Sequence, residues 1–230
     1  MALIPLAVSE LKFKVKAVIF DMDGVITDTM PYHFRAWQTV FAKAGLDVTR
    51  CEIFLREGQP GSVTIGEIFR DHGRRISAVA AAQMLRAKER LFKRIVRRRF
   101  VKGSRSFIRF LARQGIAVAL VTGTARHEAL RILPKSLLAL FCVMITGDDV
   151  KKGKPHPEPF LSAIKALAIK PREAVVIENA PFGIHSAKKA HLKCLALTTS
   201  LSKSYLAAAD HVFTSFAGLR RWVNFTRLTP

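Results

Sequence analysis

The chain has 230 residues, of which 50% are hydrophobic and 24% are charged, and this balance excludes a disordered polymer. No apolar run approaches the ~18–20 residues that cross a bilayer, and residues 1–10 carry no basic segment before their apolar stretch, so we predict no membrane span and no secretory signal. The formal net charge of +21, from 38 Lys and Arg against 17 Asp and Glu, raises the question of a polyanionic partner, which composition alone does not decide.

Short apolar runs rich in β-branched residues predict five buried strands, at residues 15–20, 116–121, 141–146, 174–177 and 194–198. Continuous apolar runs, rather than alternating ones, are typical of strands buried on both faces of a parallel sheet. Helical segments that begin after a Gly or with a Pro lie between these strands, at residues 104–114, 157–169 and 181–191. Strands alternating with helices predict an α/β fold with a doubly wound, Rossmann-like parallel sheet.

The stretch between the first and second predicted strands has a different pattern, because it contains no convincing strand. Three segments of it, at residues 31–44, 65–72 and 79–100, place apolar residues at three- and four-residue spacing. We therefore predict a helical cap domain over residues 28–102. It would be inserted into a core domain made of residues 1–27 and 103–230.

The first predicted strand is followed directly by two carboxylates, Asp21 and Asp23, and then by Gly24, which allows a sharp turn. In a parallel α/β sheet, ligands bind beyond the carboxyl ends of the strands. Charged side chains directly after a buried strand are unfavourable unless a cation, a substrate or another partner compensates them. This position is therefore a candidate reaction centre.

The second predicted strand is followed by Thr122, Gly123 and Thr124. A hydroxyl beside a flexible backbone can hold phosphate oxygens through O–H and N–H donors. By itself a Thr-Gly pair after a strand is more often a plain turn. Its value here comes from its place at the same edge of the sheet as the two carboxylates.

The next two strands add an ammonium group and an acid–amide pair. Lys154 lies between Gly and Pro after the third strand, and Glu178 and Asn179 follow the fourth. Each motif alone is weak, since the lysine could lie in a solvated loop and the pair could cap a helix. Together they form a set of oxygen ligands without imidazole or thiolate, and such a set favours Mg²⁺ over zinc.

Taken in order, these motifs resemble those of the haloacid dehalogenase-like hydrolase superfamily, and in particular the subgroup of β-phosphoglucomutase and small sugar-phosphate phosphatases. The run FDMDGVITDT at residues 20–29 matches the first motif, Thr122 the second, GKPHPEPF at residues 153–160 the third, and Glu178 with Asn179 the fourth. The helical insertion matches the family's cap. The run YHFRAW at residues 32–37 resembles the first cap helix of the phosphoglucomutase subgroup.

The resemblance implies a role for each matching residue. Asp21 would attack phosphorus and form an aspartyl-phosphate. Asp23 would protonate the leaving oxygen and then activate water or a second substrate hydroxyl. Thr122, with Gly123 and Thr124 beside it, would hold the phosphoryl oxygens. Lys154 would neutralise charge on the nucleophile and on the transferring group.

The resemblance also implies Mg²⁺ as the cofactor. Its ligands would be the Asp21 carboxylate, the Asp23 main-chain carbonyl, and Glu178 with Asn179. His33 would lie where the cap joins the core, either contacting substrate and coupling closure to Asp23, or as an ordinary helix histidine.

Two departures from the family pattern bear on function. Asn179 stands where many relatives carry Asp, so the metal site has one negative charge fewer. Residues 57–61 read EGQPG where the mutase carries basic residues for a second phosphate. The sequence therefore favours hydrolysis of a small phosphorylated metabolite, and leaves a phosphosugar mutase as the alternative. A non-catalytic protein on this fold would be expected to lack Asp21, Asp23 or Lys154, and all three are present.

The positive charge is concentrated in residues 70–113, which hold 15 Lys and Arg against two acids. We interpret this region first as a solvated basic face and second as a field that attracts anionic substrates. Nucleic acid or an anionic membrane comes last, because no RNA-binding aromatic signature is present. Three widely spaced cysteines predict buried thiols of a cytoplasmic protein. The resemblance implies a monomer.

Overall fold

The computed structural model describes residues 11–228, so the N-terminal segment for which the sequence predicts no secretory signal lies outside the described residues. Within these residues the chain forms eight strands, β1 Leu11–Val15, β2 Ala17–Phe20, β3 Ala117–Val121, β4 Phe141–Ile145, β5 Ala174–Glu178, β6 Lys193–Leu197, β7 His211–Phe213 and β8 Val223–Arg227. It also forms ten α-helices, α1 Met30–Ala42, α2 Arg50–Leu55, α3 Gly61–Asp71, α4 Ala78–Ile95, α5 Ser104–Arg113, α6 Arg126–Ile132, α7 Lys135–Leu138, α8 Glu158–Leu167, α9 Pro181–Lys189 and α10 Phe216–Trp222.

Six of the strands form one parallel sheet in the order β4-β3-β2-β5-β6-β7. Successive residues of β2 point to opposite faces, and Ile19 belongs to one apolar cluster while Phe20 belongs to the other. Both faces are covered, which is why the strands read as continuous apolar runs. The predicted α/β fold with a doubly wound parallel sheet is confirmed.

The first predicted strand, residues 15–20, corresponds to β2 and overlaps β1 only at Val15, so β1 was not predicted. Lys16 lies between β1 and β2, and its main-chain N–H donates to Glu173 O. β1 pairs with β8 in a separate, two-stranded parallel sheet. Phe13 stacks on Phe225 across this pair, with ring centroids 5.8 Å apart. The alternation of apolar and Lys residues in β1 is the period-two pattern of a half-exposed strand.

Helices α1 to α4 form one continuous stretch between β2 and α5, as the sequence pattern predicts. The short helix α2 was not predicted, although Thr49 and Glu52 form a reciprocal capping box at its start. Helix α4 ends at Ile95, earlier than predicted, because the chain after it runs back beside the chain that leaves β2. There the main-chain N–H of Asp28 donates to Arg99 O across 3.0 Å.

The cysteine expectation is wrong in part. Cys194 is buried and Cys51 is half-buried, but Cys142 is exposed. Cys142 lies on β4, which is an edge strand of the six-stranded sheet, so its side chain is less completely covered than those of the central strands. As for membranes, no helix in residues 11–228 combines the length and the apolar character that a bilayer crossing requires.

Candidate active site

The carboxyl ends of β2, β3 and β5 bring Asp21, Thr122 and Glu178 to one edge of the sheet. β2 and β5 pair in register, with Phe20 opposite Ile177, so the residues that follow them are neighbours. Asp21 N–H donates to Ile177 O across 3.0 Å, which extends the ladder to the first residue beyond the strand. Residues that belong to separate motifs along the sequence therefore lie together in a single cluster.

Lys154 lies at the centre of this cluster with an exposed fraction of 2%. Its ammonium nitrogen is 2.6 Å from Asp21 Oδ1 and 2.7 Å from Glu178 Oε1, and it also donates to Val121 O at 3.3 Å. Burial alone would lower the pKa of Lys154, but the two carboxylates hold it above its ordinary value. The lysine is therefore a buried cation that bridges two acids.

Asp21 presents one oxygen to Lys154 and leaves the other without a hydrogen-bond partner among the described residues. Burial is the largest influence on this carboxyl and raises its pKa to about 7, with the charges of Glu178 and Asp23 acting in the same direction and Lys154 opposing them. A buried carboxylate oxygen without a donor is a site for an electrophile or a cation.

Glu178 is held on both sides. Its Oε2 accepts the main-chain N–H groups of Asn179, at 2.7 Å, and Ala180, at 3.0 Å, while Oε1 accepts from Lys154. Helix α9 begins at the next residue, Pro181. The Glu178 carboxylate packs against Gly183, which has no side chain. A Cβ at this position would collide with both carboxylate oxygens.

We expect Gly183→Ala to destabilise the protein by about 1–3 kcal/mol, because the added methyl must displace a carboxylate that three donors hold. Gly66→Ala in helix α3 is the matched control. A Cβ at Gly66 meets no atom within 4 Å, so this variant should gain roughly 0.5–1 kcal/mol. Urea denaturation of the two variants measures both changes, and equal stabilities would contradict the packing of Glu178 against α9.

Asn179 donates from its amide nitrogen to Ser200 Oγ at 2.9 Å, while its amide oxygen is buried and has no donor among the described residues. This oxygen and the unpartnered oxygen of Asp21 belong to the residues that the sequence assigns to Mg²⁺, and hard oxygen donors suit that ion. No set of three His, Cys, Asp or Glu side chains within residues 11–228 has the arrangement of metal ligands. A cation here would therefore depend on amide and main-chain oxygens beside Asp21, and the residues fit such a site.

Asp23 is surrounded by donors. Thr29 donates its hydroxyl to Oδ1, Thr124 donates to Oδ2 at 2.7 Å, and His33 Nε2 lies 3.4 Å from Oδ1. Burial alone would raise the pKa of Asp23, but His33 and the two hydroxyl groups outweigh it and lower the pKa to about 2. The pKa values of the two motif acids are thus moved apart, which is typical of residues with different chemical roles.

Lys88 completes a chain of polar groups that the sequence analysis missed. Its ammonium nitrogen lies 3.0 Å from His33 Nδ1. Since an ammonium group only donates, His33 accepts at Nδ1 and has Nε2–H available for Asp23. Burial and the charge of Lys88 lower the pKa of His33. A lysine on the buried stripe of α4, between Ala81 and Phe92, was the available signal.

The polar groups of the turn after β3 make hydrogen bonds within the protein, which the sequence did not predict. Thr124 N–H donates to Thr122 Oγ1 at 3.1 Å, and its hydroxyl is used by Asp23. Gly123 faces the loop after α2, since a Cβ there would lie 3.2 Å from Gly58 O. Binding of phosphate by Thr122, Gly123 and Thr124 stays a prediction.

A cavity of about 270 Å³ lies between helices α1 to α4 and the strand ends. Its wall includes His33, Lys88, Thr124 and Glu57. Burial is the main reason why the pKa of Glu57 rises to about 8, and the charges of Asp23 and Asp21 add to it against Lys88 and Lys154. Glu57 is therefore mostly protonated near neutral pH, so the cavity wall carries a carboxylic acid that can both donate and accept.

The family model of the haloacid dehalogenase-like hydrolases matches residues 15–191 of the chain. The chain is a haloacid dehalogenase-like hydrolase. The resemblance stated from the sequence motifs is confirmed, and so is the expectation of an enzyme. The matched range includes Asp21, Thr122, Lys154 and Glu178 with Asn179.

This hydrolase is similar over most of its length to proteins that are named as phosphatases. It is 32% identical to the phosphorylated carbohydrates phosphatase of Thermotoga maritima, with 78% of this chain and 83% of that protein covered. It is 29% identical to the validoxylamine A 7'-phosphate phosphatase of Streptomyces hygroscopicus subsp. limoneus, with 89% and 96% covered. The solved structure of β-phosphoglucomutase from Clostridium difficile matches with a TM-score of 0.75 at 25% identity, covering 87% of this chain and 91% of that one. The hydrolase thus belongs with the phosphatases and phosphoglucomutase-like members of the family.

Proposed function

We propose that this hydrolase is a Mg²⁺-dependent phosphatase that hydrolyses a small phosphomonoester, such as a sugar phosphate, through an aspartyl-phosphate on Asp21. The observation that carries the proposal is the buried Asp21 carboxylate, with Lys154 on one oxygen and no donor on the other. A nucleophile of this kind is positioned and partly neutralised, and one of its oxygens is not held by a donor. The names of the phosphatases of similar sequence support the choice of substrate class.

In the first half-reaction, an Asp21 oxygen forms a bond to phosphorus while the bond to the leaving alcohol oxygen breaks, and Asp23 gives that oxygen a proton. The Asp23 carboxyl must be protonated at this point. The negative charge of an arriving phosphate favours that form, because a like charge nearby raises the pKa of a carboxyl. In the second half, water attacks phosphorus, Asp23 takes the proton, and phosphate leaves Asp21.

Mg²⁺ in this site would neutralise charge on the phosphoryl oxygens and orient the phosphate. The unpartnered oxygens of Asp21 and Asn179 are the side-chain groups we assign to it, together with the Asp23 main-chain carbonyl. We also assign Glu178 to the metal site as a further oxygen ligand. The same carboxylate accepts from Lys154 and from the main-chain N–H of Asn179, just before α9.

We predict that Asn179→Asp tightens Mg²⁺ binding about tenfold, because it adds a negative charge to a site that otherwise depends on an amide oxygen. The apparent dissociation constant is obtained by titrating Mg²⁺ against phosphatase activity and, separately, by calorimetry on the protein without substrate. Asn179→Leu is the comparison variant and should weaken binding. If Mg²⁺ affinity is unchanged in both variants, Asn179 is not a ligand.

A phosphosugar mutase is the second candidate, because β-phosphoglucomutase is among the structures with this fold. Two observations favour hydrolysis. The loop after α2 presents Glu57 and Gln59 to the cavity, and Arg56 beside them is bound to Glu67 at 3.2 Å and to Asp71. Arg56 is thus held by acids of α3 and is not available to a second phosphate.

The remaining parts of the proposal concern organisation and partners. We propose that residues 28–102 act as a cap over a core of residues 1–27 and 103–230, and that the protein is a cytoplasmic monomer. The basic residues of 70–113 are mostly exposed, which supports a solvated face that also attracts anionic substrates. Filter binding across a salt series tests the nucleic-acid alternative, since phosphate contacts give a steep salt dependence.

The proposed function is tested by measuring phosphate release from a panel of sugar and nucleotide monophosphates. With Mg²⁺ present we expect turnover of at least one sugar monophosphate, and after chelation we expect loss of that turnover. Transfer of phosphate between positions of a sugar, without release, would favour the mutase. Absence of both reactions across the panel would contradict the proposal.

A further inference from the structure

Gln59 has an exceptional position in the loop after α2. Both the oxygen and the nitrogen of its side-chain amide are buried, and neither has a hydrogen-bond partner among the described residues. Burying an amide without hydrogen-bond partners is unfavourable, so proteins rarely do it without a ligand to complete the bonds. Gln59 lines both the 270 Å³ cavity and the smaller space of about 200 Å³ beside Thr122 and Lys154.

The lining of the larger cavity also includes a second unpartnered group. Glu128, at the start of α6, has an exposed fraction of 7%, and its Oε1 has no hydrogen-bond partner in the described part of the chain. Its neighbours Lys93, at 3.9 Å, and Arg131, at 4.0 Å, are beyond hydrogen-bond distance. Burial raises the pKa of Glu128 against these charges. The carboxyl thus faces the cavity with unused bonding capacity.

Three cations and four acidic side chains line the same cavity. One of the cations, Lys93, lies 3.9 Å from Glu128 Oε1, and the other two are engaged with protein groups. Arg56 is bound by Glu67 and Asp71. Lys88 contacts His33 Nδ1 and lies 4.9 Å from the centre of the Trp37 ring. A second phosphate in this space would therefore meet more acidic side chains than available cations, whereas hydroxyl groups would find both donors and acceptors.

We propose that Glu57, Gln59 and Glu128 form a binding site for the hydroxyl groups of the alcohol that leaves Asp21, and that the preferred substrate is a polyhydroxylated compound with a single phosphate. This inference rests on the proposed phosphatase function. The amide of Gln59 can donate to one hydroxyl and accept from another, and the carboxyl groups of Glu57 and Glu128 accept from further ones. Such a site rejects a substrate without hydroxyl groups, because its own polar groups then stay unpaired.

The test uses three substrates with the same six-carbon chain and Mg²⁺ throughout: sorbitol 6-phosphate, n-hexyl phosphate and sorbitol 1,6-bisphosphate. For the unmodified protein we expect kcat/KM to be highest for sorbitol 6-phosphate, by roughly tenfold or more over each of the others. In Gln59→Leu, kcat/KM for sorbitol 6-phosphate should fall on the order of tenfold, while that for hexyl phosphate stays within about twofold. Gln38→Leu, at an exposed site on α1, is the matched control and should change neither value.

A further variant tests the charge of the site. Glu128→Gln removes a carboxyl and keeps its shape, so discrimination against sorbitol 1,6-bisphosphate should shrink by about three- to tenfold. The proposal is overturned if Gln59→Leu slows both monophosphates equally, or if the unmodified protein prefers the bisphosphate or hexyl phosphate. Failure to release phosphate from any of the three substrates, and also from p-nitrophenyl phosphate, would instead remove the phosphatase function on which the proposal rests.

Discussion

The Asp21→Asn variant is expected to lose phosphatase activity by on the order of 10⁴-fold or more, because an amide cannot form the acyl-phosphate bond. Asp21 is buried and held by Lys154 at 2.6 Å, so the substitution keeps shape and changes chemistry. Initial rates of phosphate release under saturating Mg²⁺ give the kcat ratio. Acid quenching during turnover should trap labelled phosphate on the unmodified protein and none on the variant.

Asp47→Asn is the matched control for this experiment, since it makes the same change at an exposed residue between α1 and α2. It should retain full activity. Comparable phosphate release by Asp21→Asn and Asp47→Asn would exclude Asp21 as the nucleophile. A trapped phosphoryl group in Asp21→Asn would point to another acceptor, and Asp23 would then be the residue to replace.

The Lys154→Met variant is expected to lose about 3–5 kcal/mol of unfolding free energy, since it leaves two buried carboxylates without their cation. Methionine preserves most of the volume, so the loss reports on charge. Urea denaturation at pH 7 measures it. Activity should fall as well, because the same ammonium group neutralises the transferring phosphoryl group.

Lys165→Met on α8 is the control, because Lys165 is exposed and the substitution there should change stability by less than about 0.5 kcal/mol. A double variant isolates the charge effect. Adding Glu178→Gln to Lys154→Met removes one of the two uncompensated acids and should recover part of the lost stability. If Lys154→Met is as stable as Lys165→Met, the bridge between Asp21 and Glu178 contributes nothing to the fold.

The strand ends of the site could be predicted from the sequence because parallel strands in register place consecutive motifs at one edge. Asp21 follows β2 and Glu178 ends β5, and the two strands are adjacent. The helical stretch after β2 could also be predicted, because apolar residues recur there at three- and four-residue spacing, which is a local pattern of the sequence. Short elements without a strong apolar period, such as α2 and α6, were not predicted.

Contacts between distant residues could not be predicted in this way. Lys88 contacts His33 across 55 positions of sequence. Its place on the apolar stripe of α4 could single out Lys88, but nothing local to it indicates His33 as its partner. The same holds for β1 and β8, which lie near opposite ends of the chain. Gln59 was seen only as part of a loop without basic residues, and its lack of bonding partners became visible once the cavity around it was known.

The two chain crossings that join α1 to α4 with the rest of the molecule lie side by side. Thr27 forms an isolated antiparallel β-bridge with Phe100, and the main-chain N–H of Val101 donates to Ile26 O at 3.0 Å. Thr29, which donates to Asp23, is two residues beyond this bridge. Rotation about the crossings would carry the threonine, His33 and Lys88 away from Asp23 as one unit and leave Thr124 in contact. Asp23 has its full set of donors in the arrangement that the structure shows, with the helices over the strand ends, and after such a rotation it would keep Thr124 alone.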